Sequence, residues 1–325
     1  MGLPLRTALF WNVYKLIERT PTMQQPAEKI RRASDLRRRM LALPPSKLIT
    51  WRTHPGASAE NITMTLDDAT EVPLRVYRPR PAPAGPLPAV VNFHGGGWVS
   101  GDVYQSEWWA SSVAALAGVV VVSVEYRLAP EHPYPVPVED CYAATVWVHA
   151  HAARLGIDPA RLAVMGDSAG GNLAAVVPMV ARDRGGPAIA FQVLLYPSVD
   201  LVGEYASKAE NAAAPILTRE DVDNIPGVYF HGTGRELTEP YASPILGSHT
   251  GLPPALIQTA QHDPLRDQGY AYAAALRAAG VPVRHTNYVD AVHGYISLPG
   301  IAPNAPQALG ETVEALTEAF AAESQ

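Results

Sequence analysis

A short glycine-rich segment contains the serine with the strongest chemical signal in this sequence. Residues 166–171 read Gly-Asp-Ser-Ala-Gly-Gly and lie between an apolar run typical of a strand and a run typical of a helix. A strand, a tight turn, a serine and a helix in that order form a nucleophile elbow, in which the turn exposes the hydroxyl. The alternative is a glycine-rich turn with an incidental serine. The position between a strand and a helix favours Ser168 as a nucleophile.

A second glycine cluster directly follows an earlier strand-like run. Residues 94–98 read His-Gly-Gly-Gly-Trp. Attack of a hydroxyl on a carbonyl creates an oxyanion, which needs preorganised N–H donors. Consecutive glycines let backbone N–H groups approach a ligand without interference from a Cβ atom. We therefore expect the amides of Gly96 and Gly97, together with that of Ala169 in the elbow, to form an oxyanion hole.

An acid and a histidine near the end of the chain complete the predicted site, and each follows a strand-like run. Asp263 and His293 come after Ser168 in the order serine, acid, histidine, which is one of the known orders of a catalytic triad. Asp267 is the alternative acid, but it is better placed to begin the next helix. His262 is the alternative histidine, but it competes for the position already given to Asp263.

The elements that must position these residues alternate along the chain. This alternation predicts an α/β protein with a mostly parallel central sheet and helices on both faces. The two earliest strands, joined at Asp67 and Asp68, are expected to form an antiparallel edge. The predicted strands are Ile62–Leu66, Val72–Tyr77, Ala89–Phe93, Val119–Val124, Leu162–Met165, Ile189–Tyr196, Ala255–Ala260 and Val283–Val289. The predicted helices are Val138–Ala153, Ala169–Asp183, Asp267–Ala279 and Ala305–Ala322.

Two segments do not fit the alternation, and we interpret them as a helical cap over the sheet. Residues 1–50 form its N-terminal part and residues 200–246 a cap insertion; residues 51–199 and 247–325 form the α/β core. Thr218 begins a sequence typical of a helix N-terminus within the insertion. Three tryptophans after the His-Gly-Gly-Gly run suggest an apolar pocket, or else packing against the cap. They are Trp98, Trp108 and Trp109.

Composition disfavours several other classes of function. The 325 residues carry a net charge of −6, which argues against nucleic acid as a partner because phosphate binding needs a basic face. The sequence has no Walker-type loop, no His-Glu-x-x-His and no Cys/His metal spacing, so we expect neither a cofactor nor a metal. Five arginines between residues 31 and 39 are interpreted as a solvated helix face, with an anionic ligand or a membrane surface as the alternative.

The cysteine content and the N-terminal sequence bear on the compartment. Cys141 is the single cysteine, so no intramolecular disulfide can form, and its apolar surroundings indicate a small buried side chain. The apolar patch near the N-terminus is too short and too mixed for a transmembrane helix. We expect a cytoplasmic protein with no integral membrane segment, and we leave a homodimer open.

Taken together and in this order, the motifs resemble the hormone-sensitive-lipase-like family of α/β-hydrolase esterases, in the bacterial branch with Gly-Asp-Ser-Ala-Gly-Gly at the elbow. The resemblance runs from about Leu74 to Ser297 and includes the stretch 126–135, for which we expect a structural role in bracing the oxyanion loop. It implies an α/β-hydrolase fold with a cap. Three residues depart from the usual family pattern without touching the predicted triad. They are Glu125, Gln268 and Tyr295.

The resemblance also implies an activity. It implies a serine carboxylesterase that hydrolyses short- to medium-chain, small hydrophobic esters through an acyl-enzyme. Ser168, Asp263 and His293 would form the triad, and Gly96, Gly97 and Ala169 the oxyanion hole. A lipase or an amidase of the same fold is an alternative. A non-catalytic binding relative is disfavoured because all three triad residues are present.

Overall fold

A single eight-stranded sheet forms the centre of the described part of the chain. The computed structural model describes Arg32, Leu36, Arg39, residues 47–66 and residues 68–322. Within these residues the strands are β1 (Ala57–Thr65), β2 (Glu71–Pro79), β3 (Leu87–Phe93), β4 (Val120–Val124), β5 (Ile157–Asp167), β6 (Phe191–Leu195), β7 (Ala255–His262) and β8 (Val283–Val292). Their order across the sheet is β1-β2-β4-β3-β5-β6-β7-β8. Only β2 runs antiparallel to its neighbours, β1 and β4; the other pairings are parallel.

Helices cover both faces of this sheet. They are α1 (Lys47–Thr50), α2 (Glu107–Ala117), α3 (Val136–Ala150), α4 (Ala152–Leu155), α5 (Ala169–Arg184), α6 (Ala206–Glu210), α7 (Arg219–Tyr229), α8 (Arg266–Ala278) and α9 (Ala305–Ala322). One apolar core contains residues of α3, α5 and α8, and a second contains residues of α2 and α9. The strands between the two cores are therefore buried on both faces, as their apolar sequences predict. Among the described residues, no helix has both the length and the apolar character needed to cross a bilayer.

The strand and hairpin predictions are confirmed, and three of the described helices were missed: the short helices α1 and α6, and the 11-residue helix α2. Each of the eight apolar runs lies on a strand, and β1 pairs with β2 in an antiparallel hairpin. The predicted helix 138–153 is divided at His151 into α3 and α4. Helix α2 was not predicted from the sequence. Seven of its 11 residues are buried, so its sequence has no polar face to give the periodicity that marks a surface helix.

Four of the predicted chemical groups lie directly after strand ends. His94 follows β3, Ser168 follows β5, Asp263 follows β7 and His293 follows β8. These four strands are parallel members of one sheet, so their carboxyl ends lie at the same edge. This edge is where open α/β sheets bind ligands. The topology thus brings together side chains that are up to 199 residues apart in sequence (293 − 94).

The turn between β5 and α5 depends on two glycines. Ser168 has φ 56° and ψ −117°, outside the regions that residues with a Cβ normally adopt. A Cβ on Gly166 would lie 2.1 Å from the carbonyl oxygen of Gly170, and one on Gly170 would lie 2.0 Å from that of Phe93. No side chain fits at these distances. The glycines at positions 166 and 170 therefore allow the sharp turn and the close approach of β3 to α5.

The predicted cap is only partly within the described residues. In the insertion at 200–246, Thr218 caps α7 with a reciprocal pair of hydrogen bonds to Asp221, as the sequence predicts. Most of residues 1–50 lies outside the described residues, and so does most of the arginine cluster. Arg32, Leu36 and Arg39 are described, and all three are exposed helical residues. The assignment of both segments to a cap stays a prediction.

We predict that Gly170→Ala destabilises the fold. Its Cβ would overlap the carbonyl oxygen of Phe93, and such overpacking lowers the free energy of unfolding by about 2 kcal/mol or more. Gly310→Ala is the matched control, because Gly310 is an exposed glycine within α9 with open space around its Cβ position. It should raise the free energy of unfolding by about 0.5–1 kcal/mol. Urea unfolding measures both, and equal stability of the two variants would contradict the prediction.

Candidate active site

Ser168, His293 and Asp263 form one chain of hydrogen bonds. The Nδ1 of His293 lies 2.7 Å from Oδ2 of Asp263, and its Nε2 lies 2.9 Å from Oγ of Ser168. A carboxylate accepts at Nδ1, so the proton resides there and Nε2 is free to accept the serine proton. Asp263 and His293 are buried, whereas Ser168 is half-buried. The structure therefore brings together the three residues predicted to form the triad, with only the serine open to a ligand.

The acid is held by the backbone that follows it. The amide of Leu265 donates to Oδ1 of Asp263 at 2.8 Å, which leaves Oδ2 for the histidine. Asp267, the alternative acid, instead accepts hydrogen bonds from Ser207 and Arg266. Partial burial acts to raise the pKa of Asp267, but these hydrogen bonds outweigh it and lower that pKa. The geometry thus favours Asp263, and Asp267 joins α8 to α6.

His262 does not take part in the hydrogen-bond chain. Within the described part of the protein, its Nε2 atom is buried and has no hydrogen-bond partner. Burial lowers the pKa of His262, since removal from water disfavours the charged imidazolium. The alternative histidine therefore lies beside the acid without contacting the serine.

The glycine loop after β3 lies at the same edge of the sheet as the serine. Gly96 and Gly97 have φ angles of 123° and 64°, values that favour glycine. The amides of Gly96, Gly97 and Ala169 donate no hydrogen bond to any of the described residues. Ala169 is also the first residue of α5, where helical N–H groups lack partners within the helix. Within the described part of the chain, no acceptor therefore occupies the three predicted oxyanion-hole amides.

Asp167 joins the elbow to this loop, a role that sequence reasoning missed. Its Oδ1 accepts from the amide of Gly95 at 2.9 Å, and its Oδ2 accepts from the hydroxyl of Tyr196 at 3.3 Å. The ring of Tyr196 lies edge-on to His293, with 4.8 Å between ring centroids. Burial raises the pKa of Asp167, while the electrostatic interaction with His94 and the hydrogen bond from the Gly95 amide oppose the rise. Asp167 therefore connects the glycine loop with the ring that packs on the histidine.

The stretch 126–135 braces the glycine loop, as the sequence predicts. The hydroxyl of Tyr126 donates to the carbonyl oxygen of His94 at 2.6 Å, and the two rings stack at 4.2 Å. The amide of Ala129 donates to the carbonyl oxygen of Trp98 at 2.9 Å. Both ends of the five-residue loop are therefore tied to the same segment.

The three tryptophans occupy different environments. Trp98 is buried and stacks on Tyr229 at the end of α7, with 4.4 Å between ring centroids. It therefore packs against the predicted cap insertion. Trp108 and Trp109 belong to the core between α2 and α9, and the ring of Trp108 also packs edge-on against Trp51. Most of the predicted N-terminal part of the cap lies outside the described residues, so the expectation for these two tryptophans stays a prediction. Their helix was missed from the sequence, and with it their position.

Segment 200–246 reaches the site at three points. The side chain of Ile225 lies 3.1 Å from the Cβ position of Gly97, and that of Ile216 lies 3.5 Å from the Cβ position of Gly294. The side-chain Nδ2 of Asn211 donates to the carbonyl oxygen of Asp263 at 3.2 Å. These contacts place the segment against the glycine loop, the histidine loop and the acid loop, which supports its assignment as a cap.

Each residue that departs from the family pattern has a polar partner. Glu125 accepts from the amide of Val103 at 2.8 Å. The side-chain oxygen of Gln268 accepts from two backbone amides of the loop after β6, at 3.0 and 3.1 Å. The hydroxyl of Tyr295 donates to Gln258 on β7 at 3.2 Å. The uncharged side chain of Gln268 therefore binds the loop after β6 without a carboxylate. The hydroxyl of Tyr295 adds a hydrogen bond to β7 two residues after His293.

Comparison with known proteins gives consistent results. The sequence profile of the alpha/beta hydrolase fold family matches residues 90–297. The carboxylesterase NlhH of Mycobacterium tuberculosis is 44% identical over 287 residues, covering 87% of this chain and 88% of that protein. The structure is similar to a hyperthermophilic esterase from Pyrobaculum calidifontis, with a TM-score of 0.88 and 36% identity over 98% of this chain and 99% of that one. A thermostable esterase from Pseudomonas putida has a TM-score of 0.87 and 34% identity, covering 98% of each chain.

The hydrogen bond between His293 and Ser168 predicts a reactive hydroxyl. A fluorophosphonate should label Ser168, and His293→Ala should slow labelling roughly 10²- to 10⁴-fold, the usual contribution of a positioned general base. His262→Ala is the control and should label at the wild-type rate. Intact-protein mass spectrometry over time, followed by peptide mapping, gives both the rate and the site. Equal loss of labelling in the two variants would contradict the assignment.

Proposed function

This chain belongs to the hormone-sensitive-lipase-like branch of the α/β-hydrolase family, and from that membership we propose that it is a serine carboxylesterase for short- to medium-chain esters. The observation that carries the proposal is the hydrogen-bond chain from Ser168 through His293 to Asp263, at 2.9 and 2.7 Å. The names of the relatives add support, since those compared above are described as a carboxylesterase or as esterases.

Acylation begins at the hydrogen bond between serine and histidine. Nε2 of His293 takes the hydroxyl proton while Oγ of Ser168 bonds to the ester carbonyl carbon, and the π electrons of the carbonyl move to its oxygen. Asp263 keeps the imidazole in the required tautomer and stabilises its cationic form. Because Asp263 is buried and has its other oxygen on a backbone amide, its carboxylate is fixed before substrate arrives.

The oxyanion that forms lies beside the glycine loop. The free amides of Gly96, Gly97 and Ala169 would donate to it, and two of them come from a loop held by Asp167 and residues 126–135. Donors fixed in advance stabilise developing charge without reorganisation, and this is usually the largest single contribution in acyl transfer.

Collapse of the tetrahedral intermediate breaks the bond to the alkoxy oxygen, which takes the proton from the imidazolium of His293 and leaves as the alcohol. A water molecule then occupies that position and loses a proton to His293. The resulting hydroxide attacks the acyl carbon, and the bond to Ser168 breaks as the serine regains its proton. The products are one carboxylic acid and one alcohol, and the enzyme is restored.

The surroundings of the site suit a small hydrophobic ester. Ile225 and Ile216 place apolar side chains against the glycine and histidine loops, whereas the serine is half-buried and open to a ligand. A cytoplasmic location is part of the same proposal, and the single buried cysteine supports it.

Loss of the nucleophile tests the activity directly. Ser168→Ala should reduce kcat on p-nitrophenyl esters by roughly 10⁶ while leaving circular dichroism and melting unchanged, because only one oxygen atom is lost. Wild-type turnover should be highest for acyl chains of short to medium length. Turnover by purified, folded Ser168→Ala near the wild-type level would exclude Ser168.

The two candidate acids differ in their expected effects. Asp263→Asn should reduce kcat by roughly 10⁴, because an amide orients the wrong histidine tautomer. Asp267→Asn is the matched control, four residues later in the first turn of α8, and should be far milder, since Asp267 bonds to Ser207 and Arg266. Steady-state kinetics on one ester compares them. A crippled Asp267→Asn beside an active Asp263→Asn would overturn the assignment of the acid.

A further inference from the structure

A strained tight turn lies in the cap insertion close to the histidine loop. Ile216 has φ 71°, and the amide of Leu217 donates to the carbonyl oxygen of Pro215 at 2.8 Å across it. A bond from residue i+2 to residue i around a residue of positive φ defines the rare, strained form of γ-turn. A β-branched residue seldom adopts such a φ value, and strained positions of this kind cluster at ligand sites.

The turn is fixed from both sides. Thr218, the residue that caps α7, follows it and bonds to Asp221 through its amide and its hydroxyl. On the other side, the amide of Ala214 donates to the carbonyl oxygen of Asn211, and the side chain of Asn211 reaches the carbonyl oxygen of Asp263. The turn is therefore held between a helix end and the loop that carries the predicted acid.

The side chain of Ile216 is apolar, accessible and next to the histidine. It is 37% exposed, and its Cγ2 lies 3.5 Å from the Cβ position of Gly294, the residue after His293. Ile225, by contrast, is buried and lies against Gly97 in the glycine loop. The two isoleucines thus contact different loops of the proposed site: Ile216 lies against the histidine loop and Ile225 against the glycine loop.

The chemistry of ester cleavage indicates which part of the substrate lies next to the histidine loop. Nε2 of His293 must protonate the alkoxy oxygen as it leaves, so the alcohol part of the ester lies next to the histidine loop. After the alcohol departs, water occupies that side and the acyl group remains on Ser168. A side chain that borders the histidine loop therefore contacts the alcohol part during acylation only.

We propose that Ile216, presented by the strained γ-turn at residues 215–217, determines selectivity for the alcohol part of the ester. This inference rests on the proposed carboxylesterase function and deepens it. The exposed apolar surface of Ile216 stabilises the transition state of acylation for esters of longer, apolar alcohols. It has no corresponding contact in deacylation, so its effect is confined to kcat/KM for different alcohols that share one acyl group.

The experiment compares two substrate series with wild-type protein and Ile216→Ala. One series keeps the acetyl group and varies the alcohol from methyl to butyl; the other keeps one alcohol and varies the acyl chain. The ratio of kcat/KM for butyl acetate to that for methyl acetate should fall about tenfold, the scale of lost apolar contacts in a binding pocket. The acyl-length profile and the deacylation rate after a p-nitrophenyl acetate burst should stay within about twofold of wild type.

Two further variants separate the side chain from the backbone. Ile216→Gly also removes the side chain but tolerates the left-handed φ, so it should melt above Ile216→Ala while showing the same fall in the alcohol ratio. Val146→Ala is the matched control, because Val146 is β-branched, 37% exposed and located on α3. It should leave both profiles unchanged.

The outcomes distinguish the two proposals. If the wild-type protein hydrolyses no ester, the carboxylesterase function fails and this inference fails with it. If the wild type is active but the alcohol ratio is unchanged in both Ile216 variants, only the role of Ile216 is overturned. An equal shift of the alcohol and acyl profiles would also overturn it, because that result indicates a general effect on the cap.

Discussion

The contact between the end of β3 and the first turn of α5 is the constraint on which the site depends. Gly170 approaches the carbonyl oxygen of Phe93 so closely that any Cβ would overlap it. This approach places the start of the glycine loop beside the strained serine, because β3 and β5 are parallel neighbours that end at one edge. A wider separation would move the amides of Gly96 and Gly97 away from Ser168. The arrangement of the proposed oxyanion hole thus depends on backbone packing in the core.

A buried carboxylate maintains this arrangement. Asp167 lies directly before the serine and is almost fully removed from water, which is costly for a charge without partners. Its two oxygens accept from the Gly95 amide and the Tyr196 hydroxyl, and these bonds offset part of that cost. Because the ring of Tyr196 also packs on His293, one side chain influences both the oxyanion loop and the general base. Asp167 therefore links the glycine loop to the tyrosine ring that packs on His293.

Structural features that depend on local sequence pattern were predicted, whereas features that depend on contacts between distant residues were missed. Apolar runs located all eight strands, and their parallel order placed Ser168, Asp263 and His293 at one edge. Helix α2 was missed because it is apolar on most sides, so it lacks the periodicity of a surface helix. The hydrogen-bond partners of Asp167 were also missed. Gly95 is 72 residues away in sequence, and the sequence around a single aspartate does not indicate such a distant partner. The turn at Ile216 was missed because it violates local preference and, unlike the turn at Ser168, no sequence motif marks it.

Chemistry and selectivity are contributed by different parts of the chain. The proposed catalytic groups follow the ends of β5, β7 and β8, in the rigid core, where each is fixed by strand pairing. The isoleucines belong to an insertion outside the strand–helix alternation, and their side chains lie against the glycine loop and the histidine loop. An insertion of this kind can change its apolar surface without altering the sheet that positions the triad. The strained turn at Ile216 fits this division of roles. Its backbone conformation is unfavourable by itself, and it is maintained because the turn is fixed between the core and the capped start of α7.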